Sequence, residues 1–221
     1  MLYNTTHRLT KYILPPSQEE IYNCPHYFAM SYEQVKASGA PHFLIALLDQ
    51  FPFDGRKNIL QIRPQDFRSG NTSIDGRHWH TDYNVRLLDL QGEQYKVYAK
   101  NHDDFHLMVI SWGAGCSTEF INTPMELPDN LESIYSKEEW EKWNNALNEQ
   151  LDKPYQVISA PKNQMIEYTS RDLHRADGIM HSSGLRLMIV AFDCNDIDGT
   201  VRVLPSIKDL DNGIVVPTYS R

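Results

Sequence analysis

The chain has 221 residues, 41% of them apolar, which suits one globular domain with its own core. An excess of 29 acidic over 21 basic side chains argues against a nucleic-acid partner, because phosphate binding depends largely on Lys and Arg. The sequence contains no apolar run of about 18 residues, so we predict no membrane span. The N-terminal residues do not resemble a signal peptide. Three separated cysteines without a CxxC pair predict free thiols and a cytoplasmic location.

The elements predicted along the chain begin with helices. Ser17 and Ser31 each stand three residues before a Glu or Gln, which is capping-box spacing, and an apolar run over 43–48 predicts a further helix. From residue 58 onwards, short apolar segments are separated by turn residues and interrupted by one helix near 136–150. The predicted strands cover 58–62, 95–99, 106–112, 164–168 and 185–192.

Helices followed by a series of short strands predict an α+β, mainly β domain with a jelly-roll core. We expect a single domain over 1–221, with a mainly helical part over 1–57, the jelly-roll core over 58–193 and an extension over 194–221. The extension is rich in Asp, Gly and Pro, and it could form either an extra edge strand or an arm on a partner subunit. The sequence leaves the oligomeric state open.

The segment 77–84 contains three alternating metal-ligand types, His78, His80 and Asp82. Residues two apart face the same side of an extended strand, so His80 and Asp82 can reach one metal ion. Imidazole plus carboxylate suits divalent iron, manganese or zinc. A facial set of two His and one carboxylate is diagnostic of oxygen-activating iron(II), so we expect a third ligand from elsewhere in the chain.

His174 is the best candidate for that third ligand. It follows a predicted strand, and a turn containing Gly and Ser separates it from the strand that begins near Arg186. Such a hairpin can bring an imidazole and a guanidinium into one cavity. His181 is the main rival, but its position is too close to Arg186 for both side chains to point inward. The remaining candidates, interpreted as packing, surface or supporting residues, are His78, His102 and His106.

HxD, a distal His and an Arg shortly after it resemble the iron(II)/2-oxoglutarate-dependent dioxygenase superfamily, whose core is a double-stranded β-helix. The likeness spans 58–193. The segment 117–120 resembles the family's small-Thr-x-Phe turn, and the spacing from Pro161 to His174 resembles the family's approach to its distal His. The N-terminal helical part resembles the helices that buttress the larger sheet of the family's core.

The resemblance implies that His80, Asp82 and His174 are the catalytic, Fe(II)-binding residues, with 2-oxoglutarate and O2 as cosubstrates. It implies that Arg186 binds 2-oxoglutarate, and a planar guanidinium suits bidentate pairing with its far carboxylate. On its strand, Arg186 shares a face with apolar residues, where an unpaired charge is costly. Many family members carry a hydroxyl where this chain has Met188. The candidate substitutes are Tyr98, Ser111, Tyr168 and Ser182.

Asp82 also bears on the reaction, because halogenating relatives lack a carboxylate at that position. Its presence predicts hydroxylation, or a following demethylation, desaturation or ring closure. We expect a small polar substrate, such as an amino acid or a peptide side chain, with 2-oxoglutarate decarboxylated to succinate and CO2. Arg175, next to His174, either forms a salt bridge to the barrel or contacts a substrate anion. Specificity is expected on the loops 66–78, 122–135 and 176–183.

Two other classes of function fit the same residues. A cupin-like metalloenzyme, an isomerase or a hydrolase, would use the same ligand types without 2-oxoglutarate and without a role for Arg186. A non-catalytic jelly-roll binding module would keep its function when the ligands are replaced.

Overall fold

The computed structural model describes residues 2–3, 8–51, 58–68, 79–80, 85–90, 93–98, 106–114, 118–123, 125–126, 137–160, 162–169, 172–176, 183–193, 197–198 and 202–214. Asp82 and most of the predicted specificity loops lie outside these ranges. Each helix that the structure describes is too short or too polar to cross a membrane.

The described ranges contain helices in three places, before the main series of strands, within it and after it. The helices are α1 (Gln18–Asn23), α2 (Tyr32–Ala37), α3 (His42–Leu48), α4 (Lys137–Asn148) and α5 (Ile207–Asp211), with a 3-10 turn at Glu149–Asp152. The strands are β1 (Leu2–Tyr3), β2 (Arg8–Tyr12), β3 (His26–Ser31), β4 (Asn58–Asp66), β5 (Val85–Leu90), β6 (Glu93–Tyr98), β7 (His106–Gly113), β8 (Thr118–Ile121), β9 (Met125–Glu126), β10 (Val157–Ala160), β11 (Gln164–Thr169), β12 (His174–Ala176), β13 (Leu185–Asp193), β14 (Ile197–Asp198) and β15 (Arg202–Leu204). The five predicted strands are confirmed as β4, β6, β7, β11 and β13.

Both predicted capping boxes start helices. The Ser17 hydroxyl accepts a hydrogen bond from the backbone N–H of Glu20, and the Glu20 carboxylate accepts one from the backbone N–H of Ser17. Ser31 and Gln34 form the same reciprocal pair at the start of α2. These bonds satisfy backbone donors that a first helical turn leaves open.

The largest sheet has seven strands in the order β15-β3-β4-β13-β7-β11-β2, with antiparallel neighbours. The predicted mainly helical part therefore also supplies two strands of this sheet, β2 and β3, which the sequence analysis did not identify. Strand β15 lies at one edge and pairs with β3. The C-terminal extension thus contributes an edge strand, the first of the two roles considered for it.

This main sheet presents two different faces. Alternate side chains pack with residues of α1, α2 and α3 in one apolar cluster, and we call this side the helix face. The opposite side, the inner face, carries Arg186, Met188 and Val190 from β13. Members of the cluster from the sheet are Tyr27, Met30, Leu60, Ile62, Met108, Ile110, Trp112, Met165, Leu185, Leu187, Ile189 and Ala191.

A second sheet has the order β10-β8-β12 and is extended by a bridge between His80 and His174. Aromatic contact joins it to the main sheet, because the rings of Phe120 on β8 and Tyr168 on β11 lie 5.0 Å apart. The expectation of a turn over 117–120 needs correction, since Thr118–Ile121 form a strand. This strand pairs with β10 on one side and β12 on the other, which satisfies both of its backbone edges.

Gly113 ends β7 with φ +86, and a Cβ there would lie 2.1 Å from the carbonyl oxygen of Leu185. Gly113→Ala is expected to lower the free energy of unfolding by about 2–4 kcal/mol, through backbone strain and this clash together. Gly39→Ala is the matched control, because Gly39 has φ +79 with no atom within 4 Å of the added Cβ. Urea unfolding measures both variants, and an equal loss in the two contradicts a role for the clash.

Candidate metal site

His80 and His174 face each other across two antiparallel segments. Each backbone N–H donates to the other residue's carbonyl oxygen at 2.9 Å, which fixes the two residues directly opposite one another. Their ring centroids are 4.5 Å apart. Two imidazoles that bind one ion at nitrogen–metal distances of about 2.1 Å place their ring centres roughly 4–5 Å apart. The spacing therefore suits two ligands of a single metal ion.

The orientation of the His174 ring is set by a hydrogen bond to the chain. Its Nδ1 lies 2.8 Å from the carbonyl oxygen of Asp172. A carbonyl oxygen only accepts, so Nδ1 is the donor and Nε2 is the ring nitrogen that remains for a metal. Metal-binding histidines ordinarily have their second nitrogen held in this way. The structure thus assigns the Nε2 atom of His174 as the one that is able to bind a metal.

Asp172 is a supporting residue that the sequence analysis did not identify. Its side chain is fully buried, and its Oδ2 accepts a hydrogen bond from the backbone N–H of Thr169 at 2.7 Å. The backbone N–H of Asp172 donates in return to the Thr169 carbonyl at 3.1 Å. This closed turn fixes the Asp172 carbonyl that orients His174. A Thr-x-x-Asp pattern just before a candidate ligand is the signal that could have indicated it.

Aromatic side chains pack around His174, which is buried. The Phe120 ring stacks on the imidazole with centroids 5.7 Å apart, and the Tyr168 ring lies 5.1 Å from it. Phe120 is fully buried and Tyr168 is nearly so. These two rings therefore pack against the imidazole of His174.

The third predicted ligand, Asp82, lies outside the described residues, as do His78, His102 and His181. Within the described ranges no group of three or more His, Cys, Asp or Glu side chains could hold a metal ion. The histidine pair matches two positions of the predicted ligand set, and the assignment of all three ligands stays a prediction. His106 begins β7, where its backbone pairs with Thr169.

Arg186 lies near the start of β13 on the inner face and is 9% exposed. The register places it opposite Gly113 on β7 and Gln65 on β4. An apolar environment was predicted for Arg186, and β13 itself supplies one. The Arg186 Nη2 lies 3.8 Å from the sulfur of Met188. The prediction needs correction across the sheet, because β4 contributes polar side chains beside Arg186.

Three polar residues, Gln61, Arg63 and Gln65, alternate along β4 and therefore share the inner face. His26 on β3 stands opposite Arg63, since its neighbour Tyr27 pairs with Ile62. Burial, with a smaller contribution from the Arg63 charge, lowers the pKa of His26 to about 4. His26 is consequently neutral at pH 7 and can both donate and accept a hydrogen bond.

The two roles considered for Arg175 are now distinguished. Its Nε donates to the Glu119 carboxylate at 2.7 Å, and its guanidinium lies 4.3 Å from the ring centre of Trp79. Both contacts hold it on the side of the second sheet away from Phe120 and His174, because neighbouring residues of a strand point to opposite faces. Arg175 is thus a salt-bridge residue of the second sheet.

One of the candidate hydroxyls is well placed. Ser111 on β7 pairs with Met188 on β13, so both residues lie on the inner face. Met188 occupies the position at which many members of the family that the sequence resembles carry a hydroxyl. The Tyr168 ring belongs to the aromatic contacts of His174. Ser182 lies outside the described residues, and so does the side chain of Tyr98.

No protein-family model matches the chain, and no curated protein does. Among solved structures, it is similar to HygX from Streptomyces hygroscopicus with nickel, 2-oxoglutarate and hygromycin B bound, at 10% identity and a TM-score of 0.41, over 86% of this chain and 83% of that chain. It is also similar to SnoK, a non-heme alpha ketoglutarate dependent carbocyclase from nogalamycin biosynthesis, at 13% identity and a TM-score of 0.39, over 89% and 72%. At such values the likeness itself assigns neither activity nor substrate to this chain.

Proposed function

We propose that this chain is an Fe(II)- and 2-oxoglutarate-dependent oxygenase. The observation that carries the proposal is the histidine pair, with His80 and His174 fixed opposite each other and the Nδ1 of His174 held by the Asp172 carbonyl. In this proposal Asp82, two residues after His80, supplies the carboxylate that completes a facial set of two His and one acid.

The order of the strands supports a double-stranded β-helix as the core. Along the chain, β4, β7, β11 and β13 belong to the main sheet, while the His80 segment, β8, β10 and β12 belong to the second. Apart from β5, β6 and β9, which pair in other sheets, the strands from β4 to β13 change sheet at every step but one, as in a jelly roll. On this proposal α1, α2 and α3 buttress the larger sheet, and the ligands lie where the two sheets meet.

Each residue has a definite task in the proposed site. Iron(II), when bound, supplies the activation of O2 that is coupled to the decarboxylation of 2-oxoglutarate to succinate and CO2. His80, Asp82 and His174 hold the ion on one face and leave positions for the cosubstrates. Phe120 and Tyr168 limit the approach of water, which strengthens charge interactions inside the site.

Arg186 is proposed as the partner of the far carboxylate of 2-oxoglutarate. Its guanidinium is planar and permanently charged, and it lies on the inner face where the strands are covered. Ser111, beside Met188, is proposed to donate its hydroxyl hydrogen bond to the same carboxylate. The far carboxylate would then accept hydrogen bonds from the charged guanidinium of Arg186 and from the neutral hydroxyl of Ser111.

The reaction on the prime substrate is proposed to be hydroxylation of a small polar molecule, such as an amino acid or a peptide side chain. Asp82 supports an oxygenation because it takes the coordination position that halogenating relatives leave to chloride. Arg175 is tied to Glu119, so we do not assign it to the substrate.

The experiment that tests the proposed function is turnover without a prime substrate. Purified chain incubated in air with Fe(II) and 2-oxoglutarate is expected to form succinate slowly, and this formation should stop when Fe(II) is omitted. His80→Ala should form none, while His42→Ala, which removes an exposed histidine from α3, should match the wild type. Succinate formation that persists in His80→Ala contradicts the proposal, as does its absence from the wild type.

A further inference from the structure

The inner face of β3 and β4 carries polar side chains for which the proposed iron site has no use. We call Gln61, Gln65 and His26 the polar row. Gln61 lies mid-strand and is 4% exposed, a position that ordinarily holds an apolar side chain. Gln61 therefore occupies a core position, while Gln65 and His26 are half-buried on the same face.

Three atoms of the polar row are buried without a hydrogen-bond partner in the described part of the chain. They are Oε1 of Gln61, Oε1 of Gln65 and Nε2 of His26. A buried polar group left without a partner costs about 1–3 kcal/mol, and native proteins contain few of them. Three on adjoining strands point to a bound molecule that supplies the missing hydrogen bonds.

The chemistry of these atoms limits what that molecule is. A carboxamide oxygen only accepts hydrogen bonds, so its partner must carry an O–H or N–H donor. 2-Oxoglutarate is a dianion at neutral pH and offers acceptor oxygens only, so it cannot satisfy Gln61 and Gln65 through these atoms. The partner is therefore a molecule other than the cosubstrate.

The charges on the inner face further limit the class of ligand that can bind there. Arg63 and Arg186 both lie on the inner face. The Arg63 charge acts at His26, where it opposes protonation of the ring. A positive potential of this kind disfavours an ammonium group and favours neutral or anionic ligands. Hydroxyl groups are the donors that fit both the acceptors and the charge.

The position of Gln61 relates the polar row to the proposed iron site. Gln61 pairs with Val190, and Val190 pairs with Val109, which in turn pairs with Ile166. Arg186 shares the face of Val190 on β13, and Tyr168, in contact with His174, shares the face of Ile166 on β11. The polar row therefore lies on the same face of the main sheet as both parts of the proposed site.

We propose that the polar row is a subsite that binds the hydroxyl groups of the prime substrate. This narrows the small polar substrate proposed above to an uncharged or anionic polyhydroxylated molecule, and it disfavours a free amino acid with its ammonium group. The identification as a substrate rests on the proposed oxygenase function. Binding at the polar row does not, because its hydrogen bonds need neither metal nor 2-oxoglutarate.

The test is titration of the metal-free chain with myo-inositol and with glucosamine, followed by ligand-observed NMR at pH 7. Saturable binding of myo-inositol is expected, with weaker binding of the cationic glucosamine. Gln61→Met should weaken myo-inositol binding about tenfold, since it removes the acceptor while keeping the size of the side chain. Gln156→Met, at an exposed position before β10, is the matched control and should bind as the wild type does.

A stability measurement separates binding from a structural role. Replacing an unpartnered buried amide by an apolar side chain of similar shape is expected to leave the urea midpoint unchanged or to raise it. A lower midpoint in Gln61→Met, no saturable binding of myo-inositol, unchanged binding in that variant, or tighter binding of glucosamine each overturn the proposal. These outcomes are obtained without metal, so failure of the iron site alone would leave this subsite intact.

Discussion

His174→Ala is expected to weaken Fe(II) binding by about 100-fold or more and to abolish succinate formation. Loss of residues that only orient a metal ligand already costs about 10–100-fold in affinity, and His174 is proposed as a ligand itself. The reason is geometric. The Nδ1 of His174 is held by the Asp172 carbonyl, so Nε2 is the nitrogen that remains for the metal, and the ring lies beside that of His80. Equilibrium dialysis of the metal under anaerobic conditions measures the effect.

The control for this variant is His42→Ala, which removes an exposed imidazole from α3. It should bind Fe(II) as the wild type does. Unfolding of both variants in urea shows whether a weaker affinity arises from loss of structure, since His174 is buried and also stacks on Phe120. If folded His174→Ala binds the metal with wild-type affinity, His174 is not a ligand, and His181 becomes the candidate to test.

Arg186→Met is expected to weaken 2-oxoglutarate binding by about 100-fold while Fe(II) affinity stays within about twofold. Two charge-assisted hydrogen bonds from one guanidinium are lost, each with a net contribution of about 1.5 kcal/mol. Methionine fills a similar volume and is compatible with Met188, so the inner face should keep its packing. Calorimetric titration of the Mn(II)-loaded protein with 2-oxoglutarate, without oxygen, measures the change.

Two further variants sharpen the Arg186 test. Arg186→Lys keeps the charge but lacks the planar fork, so an intermediate affinity is expected. Arg68→Met removes an exposed guanidinium that is paired with Asp66 and Asp211 instead, and it should leave 2-oxoglutarate binding unchanged. Equal losses in Arg186→Met and Arg68→Met indicate a general effect of charge and contradict a specific site at Arg186.

The helices that are stabilised by residues close to them in sequence could be predicted from short sequence patterns. Ser17 and Ser31 cap helices through residues three positions away, and such bonds are visible as a short pattern. Strand β3, only six residues long, lies directly before the second of these helices, and its pairing with β4 and β15 is made by distant residues. A short strand of this kind is identified by its partners, which the sequence does not display.

The residues of the candidate site also fall into two groups, those predicted from a sequence pattern and those recognised only in the folded chain. HxD and His174 were identified from spacing and order, and the structure brings His80 and His174 together. The polar row was missed because polar and apolar residues alternate along β4, a pattern typical of a strand with one solvated face. The structure buries Gln61 on the inner face, and its neighbour there, Val190, comes from a strand far along the chain.

Arg186 shows the same limit. Its own strand predicts an apolar environment, which Met188 and Val190 supply. The pairing with Gln65 depends on the register between β4 and β13, and no local pattern specifies that register.

The most direct measurement of the proposed iron site is the visible absorption spectrum of the chain with Fe(II) and 2-oxoglutarate in the absence of oxygen. A weak charge-transfer band is expected for the wild type, because it requires both molecules on one metal centre. The band should be absent from His80→Ala and Asp82→Ala and present in His42→Ala. No band in the wild type, with metal and 2-oxoglutarate both in excess, would contradict the assignment of this chain as a 2-oxoglutarate-dependent oxygenase.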